Sequence, residues 1–172
     1  MKNYVIGVLV VVIVFLGSVV YKQLNKMVCY HFPVPEELKK ESADVPLYLF
    51  LFFSKDDCRP CIVEMVEVIN SLPSQFCAAG IAPAEELKDE AGLRQLIGTS
   101  FPLYSFQRFK KYLPWRTPTL FGVSPSGRVI FVLPGIPDLQ DQKVYLRNFI
   151  VSAYGRLYDS FKEEHASGSG GR

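Results

Sequence analysis

Cys58 and Cys61 are the residues whose type and spacing could carry chemistry by themselves. Thiols three apart at a helix start share one face and can reach disulfide geometry, and such a pair is a two-electron redox couple. The helix is expected over 58–72, directly after an apolar strand, with Pro60 tolerated in its first turn. A helix N-terminus offers unpaired N–H groups and partial positive charge, which favour a thiolate on Cys58. Cys61, one turn inward, becomes the resolving thiol. Arg59 adds positive charge, while Asp56 and Asp57 oppose it, and one of these acids is expected to cap the helix. The opposing signs suit a reductant better than a strong oxidant. A zinc site is disfavoured, because tetrahedral zinc wants four ligands and neither His31 nor His165 stands at a ligating spacing from the pair. A purely structural bridge across so short a loop would constrain the unfolded chain little.

Two further features add to the pair. Glu64 lies one turn past Cys61 between apolar Val63 and Met65. A carboxyl there could move the proton of a buried thiol, or it could be a surface glutamate as Glu67 is expected to be. Thr117-Pro118 opens an expected strand. Proline cannot donate to a ladder, so it either begins the strand as an ordinary trans residue or marks a cis peptide that exposes backbone to a bound peptide. Cys77 reads as a small buried hydrophobe. Cys29 reads as an unpaired thiol, since residues 25–28 do not resemble a lipoprotein cleavage box. Trp115, three residues before Pro118, could flank the site, but a packing role is the expected one.

The elements that must position these residues follow from pattern. The run 46–53 is continuously apolar, long enough for one central strand buried on both faces. A second strand is expected over 75–82 and a helix over 83–97, with Glu85 and Glu86 near its start and Gly98 as its stop. A short strand over 101–104 precedes a short helix capped by Ser105. Strands over 117–123 and 128–133 flank the turn Ser124-Pro125-Ser126-Gly127 as a hairpin, and a last helix runs over 138–161. This order gives an α/β sandwich with a central mixed β-sheet flanked by helices.

At 172 residues the chain holds one domain plus appendages. Its net charge of +2, with no basic stripe, argues against a nucleic-acid partner. Residues 3–21 carry no charge and can cross a hydrocarbon core as a helix; no small-residue cleavage site follows, so 1–21 is expected as an uncleaved signal-anchor. Residues 22–45 are expected as a linker, 46–161 as the folded domain and 162–172 as a disordered tail. Lys2 on one side and Lys22 and Lys26 on the other leave the orientation open.

Together these residues resemble the thioredoxin superfamily, and more narrowly the membrane-anchored TlpA/ResA-type thiol–disulfide oxidoreductases of bacteria. The match rests on the strand 47–53, on Cys58-Arg59-Pro60-Cys61 with Glu64, on Thr117-Pro118-Thr119 and on the hairpin 120–133. The resemblance implies a thioredoxin-like three-layer sandwich preceded by one transmembrane helix. It also implies Cys58 as attacking thiol, Cys61 as resolving thiol, Pro118 as a cis-proline facing them, and Glu64 as an active-site carboxylate. Arg59, Pro60, Thr117 and Pro118 would line the substrate groove, bordered by the insertion 84–104. The implied activity needs no cofactor. Its partners are protein disulfides, apocytochrome c among them, and a transmembrane or periplasmic thiol donor. The implied location is the bacterial inner membrane, with the domain facing the periplasm or outside. Relatives commonly carry Trp before the first cysteine; here Asp57 stands there, leaving partner choice and electron direction open. A disulfide oxidant or isomerase, or a thioredoxin-fold module that binds a partner or a copper ion, are the competing readings.

Overall fold

The computed structural model describes residues 31–41, 45–136 and 142–168, with side chains through residue 159. The expected anchor at 1–21, Cys29 and residues 169–172 lie outside the described residues. Among those described, no helix is long and apolar enough to cross a membrane.

In chain order the elements are α1 (Glu36–Glu41), β1 (Tyr48–Phe52), α2 (Arg59–Asn70) and β2 (Cys77–Ala82). A 3₁₀ turn (Glu86–Asp89), α3 (Glu90–Ile97), β3 (Leu103–Ser105) and a second 3₁₀ segment (Phe106–Tyr112) follow. The chain ends in β4 (Thr119–Val123), β5 (Val129–Pro134) and α4 (Gln142–Gly168). The five strands form one sheet in the order β3-β2-β1-β4-β5. β1 pairs parallel to β2 and antiparallel to β4, so the sheet is mixed as the element order requires.

Every residue of β1 is buried, as its unbroken apolar run demands. Alternation then sorts its side chains between two cores. Leu49 and Leu51 face Ile62, Met65, Val66 and Ile69 of α2, and Leu146 and Ile150 of α4. Tyr48, Phe50 and Phe52 face the opposite layer with Phe109, Phe121 and Val123.

That second layer corrects the expected domain boundary. The span 22–45, expected as a linker, instead contributes Phe32, Val34 and Leu38 buried in this layer, and the compact unit begins at Phe32. The Phe32 ring meets Phe50, Phe109 and Tyr112, and its N–H donates to Gly127 O at 2.7 Å. Leu38 alone of the three lies among the charges of 36–41, and no period links it to Phe32 and Val34 in the sequence; together they join Phe109 in covering the far face of β1.

Two helices differ from expectation. The helix expected over 83–97 is broken at Asp89, whose carboxylate accepts from Gly92 N at 3.1 Å and so caps a separate α3. α3 ends where expected, at Gly98, whose φ of 74° is the left-handed conformation glycine adopts without a Cβ penalty. The last helix passes the expected end at 161 and runs to Gly168, because no proline or glycine interrupts 156–167. Its expected first residues, 138–141, lie outside the described residues.

Candidate active site

The register of the sheet gathers the site. Phe52 pairs with Thr119, so Pro118 lies beside the carboxyl end of β1, from which the loop to Cys58 departs. Thr119 pairs with Pro134, so Gly135 follows on the other flank of Pro118. Phe52 also pairs with Ile81, so the segment beyond β2 leaves from the same end and carries Glu86 towards the loop. Sites in open α/β sheets collect outside carboxyl strand ends for this topological reason.

Cys58 and Cys61 are joined as a disulfide with their Cα atoms 5.4 Å apart. Cys58 occupies the N-cap position of α2 and is exposed, whereas Cys61 is 4% exposed. This is the asymmetry the spacing predicted, an outer sulfur within reach of a partner and an inner one beneath it. Pro60 sits in the first turn, and that turn holds no acidic residue. No side chain caps the helix, which overturns the expectation that Asp56 or Asp57 does so. Asp57 turns elsewhere. Its Oδ2 accepts from Ser54 N at 2.7 Å and its Oδ1 accepts from the Thr117 hydroxyl at 2.7 Å. One carboxylate therefore ties the cysteine loop to the residue that precedes Pro118.

The Thr117-Pro118 peptide bond is cis. Pro118 is buried, and its carbonyl accepts from Gly135 N at 2.8 Å. Gly135 is where close approach requires glycine, since a Cβ there would come within 2.8 Å of Pro118 Cγ and 3.3 Å of Met65 Sδ. Of the other expected groove residues, Thr117 is half-buried, and Arg59 and Pro60 are exposed. Arg59 Nη2 reaches Leu96 O over 3.5 Å, which brings α3 to the rim of the site. Trp115, for which a packing role is expected, is instead 88% exposed.

Glu64 is half-buried, and its Oε2 accepts from Gln142 Nε2 at 3.3 Å. Gln142 is itself buried, and its Oε1 accepts from Ile136 N at 3.1 Å. Glu64 is thus linked to the segment after Gly135 by a side chain that nothing in the sequence singled out. Glu67 is exposed as expected and pairs with Lys143, whose pKa is held above its ordinary value chiefly by that hydrogen bond. Glu86 is the second residue missed. It is 8% exposed; Oε1 accepts from the Ser54 hydroxyl at 2.7 Å and Oε2 from Lys55 N at 2.9 Å. Adjacent Glu85 is exposed, so identical residue types in one helix-start pattern gave no signal of which one turns inward.

Cys77, expected to be buried, is half-buried and outside the disulfide. Among the described residues no group of three or more His, Cys, Asp and Glu side chains is placed to hold a metal.

No family model matches the sequence, and no curated protein matches it closely. Solved structures do match in fold. A secreted disulfide oxidoreductase of Mycobacterium tuberculosis, homologous to E. coli DsbE, is similar with a TM-score of 0.51 and 14% identity over 65% of this chain and 85% of that one. A hypothetical protein of Sinorhizobium meliloti is similar with a TM-score of 0.52 and 17% identity over 67% and 73%. A thioredoxin-family thiol:disulfide interchange protein of Chlorobium tepidum reaches 24% identity over 67% and 84%, with a TM-score of 0.49. The chain has a thioredoxin-like α/β fold, with its central mixed sheet between helices and its cysteine pair at the start of α2.

Proposed function

We propose that this chain is a thiol–disulfide oxidoreductase that reduces protein disulfides through Cys58 and Cys61. The observation that carries the reading is an exposed N-cap cysteine bonded to a buried cysteine one turn inward, beside a cis-proline. In the forward direction the Cys58 thiolate attacks a substrate disulfide, forming a mixed disulfide and releasing one substrate thiolate. Cys61 then loses its proton and attacks Cys58 Sγ. The Cys58–Cys61 bond forms and the second substrate sulfur leaves as a thiolate. Two electrons and two protons pass from the dithiol to the substrate, and a thiol donor resets the pair. Glu64, anchored by Gln142, is the carboxylate assigned to the Cys61 proton.

The finer parts of the reading draw on the sequence. The uncharged run 3–21 supports a tether in the bacterial inner membrane, and a secreted oxidoreductase among the structural neighbours supports a domain outside the cytoplasm. Protein disulfides, including those of apocytochrome c, are the proposed substrates, and a transmembrane or periplasmic thiol protein is the proposed donor.

Insulin-disulfide reduction by the full-length chain, with Cys58→Ser as control, tests the reading; turnover no faster than the control refutes it. Cys61→Ser should accumulate mixed disulfides on Cys58 in cells. A pair that resists reduction while the dithiol binds Cu(I) stoichiometrically would transfer the assignment to a copper-binding module.

A further inference from the structure

We propose that Asp57 is a positioning residue: held by Ser54 and Thr117, its carboxylate keeps a fixed negative charge beside Cys58 and biases the pair towards giving electrons. The inference rests on the exchange reading above and deepens it.

The geometry is specific. Asp57 immediately precedes Cys58, and both of its carboxylate oxygens are engaged. Its own N–H donates to Ser54 O at 3.0 Å, closing a turn, so backbone and side chain of Asp57 bind the same residue. The remaining oxygen receives the Thr117 hydroxyl from a segment sixty positions along the chain. A loose surface carboxylate would swing into water and be screened. This one is half-buried and anchored on two sides, so its charge stays where the nucleophile forms. The first turn of α2 adds no acid of its own, so Asp57, one residue before the N-cap Cys58, is the half-buried acid next to the helix start that would stabilise the thiolate.

The other charged groups around Cys58 do not cancel this. Lys55 and Asp56 on the loop, Arg59 at the start of α2 and Arg116 beside Thr117 are all exposed. Arg59 reaches towards Leu96 O, and the buried carboxylate of Glu86 is bound to Ser54 and Lys55. A negative charge next to a thiol disfavours the thiolate. A more basic thiol forms a more stable disulfide, so the dithiol gives up its two electrons more readily as the Cys58–Cys61 bond forms and the partner's S–S bond becomes two thiols.

The test is residue-resolved alkylation of the reduced full-length chain across pH, together with its equilibrium in glutathione buffers. Asp57→Asn keeps the shape and removes the charge; its one amide oxygen can still accept from Ser54 N, and its NH2 can donate to the Thr117 hydroxyl with the direction of that bond reversed. Its Cys58 alkylation midpoint should fall by roughly half to one pH unit, and the glutathione equilibrium should move about three- to tenfold towards the dithiol. Thr117→Val keeps the charge and removes one tether, so its alkylation midpoint should fall in the same direction as that of Asp57→Asn, by a smaller amount. An unmoved midpoint in Asp57→Asn overturns the proposal, and an unmoved midpoint in Thr117→Val overturns the part assigned to the tether. The alkylation readout needs no substrate, so a chain that titrates as expected yet fails to reduce insulin refutes the exchange reading alone.

Discussion

Replacing Phe32 with alanine removes a ring from the middle of the aromatic layer behind β1. The side chain is fully buried, with ring centroids 4.6 Å from Phe50, 4.9 Å from Tyr112 and 5.3 Å from Phe109. Burial of one such ring withdraws roughly 150–200 Å² from water, or about 4–5 kcal/mol as an upper bound. Truncations of buried phenylalanine cost about 3–5 kcal/mol, so about 4 kcal/mol is the expected loss. The N–H donation to Gly127 O is a backbone bond and survives the substitution, which assigns the loss to packing. Against a domain stability of about 5–15 kcal/mol this is a quarter or more, equivalent to a Tm lowered by roughly 8–16 °C. The assay is urea unfolding of the full-length chain followed by far-UV circular dichroism; Trp115 is too exposed to report on the core. A loss below about 1 kcal/mol at unchanged m-value would refute the placement of Phe32 in the core. A chain beginning at residue 46 should be destabilised at least as much, and a chain beginning at residue 31 should keep this packing.

Three further outcomes follow from the site and its support. Glu86→Ala removes two hydrogen bonds to a buried carboxylate, so it should cost about 2–4 kcal/mol in urea unfolding and slow insulin reduction through a loosened Ser54–Lys55 segment; unaltered stability would show the carboxylate to be dispensable. Gly135→Ala drives a methyl group against Pro118 and Met65 and should cost about 1–3 kcal/mol with a matching fall in exchange rate, whereas a neutral effect would mean the 134–136 segment yields freely. Burial raises the pKa of Tyr48 and, with the Tyr158 charge adding, that of Tyr154 above the ordinary 10.0. Folding therefore favours the protonated phenols: their contribution is fully present below pH 10 and is lost as pH rises through the folded values. Alkaline titration of stability should steepen above that point, and Tyr48→Phe should flatten the slope; an identical slope would argue against the burial.

Much of the scaffold was legible because its signals are local. The unbroken apolar run at 47–53 has the length of one strand covered on both sides, and the glycine at 98 and the Ser124–Gly127 turn end elements by local backbone chemistry. The cysteine pair was legible for the same reason, since its spacing and the helix start are properties of four consecutive residues. The partners of that pair were not. Glu85 and Glu86 are indistinguishable as helix-start acids until β2 and β1 are set side by side. Gln142 reads as an ordinary polar residue until α4 packs on α2 and buries it against Glu64.

Asp57 shows the division most clearly. The amino-acid sequence by itself determined that an acid precedes the first cysteine of the pair and that its charge would oppose a thiolate there. It suggested a helix cap as the role, which is the nearest local use for such a side chain. Only the tertiary structure decided otherwise, because the alternative acceptor geometry needs Thr117, brought alongside by the antiparallel register of Phe52 with Thr119. Local periodicity and turn chemistry specify elements over a few residues. Which polar groups meet across sixty residues depends on strand order and register, and these arise only when the whole sheet buries both of its faces.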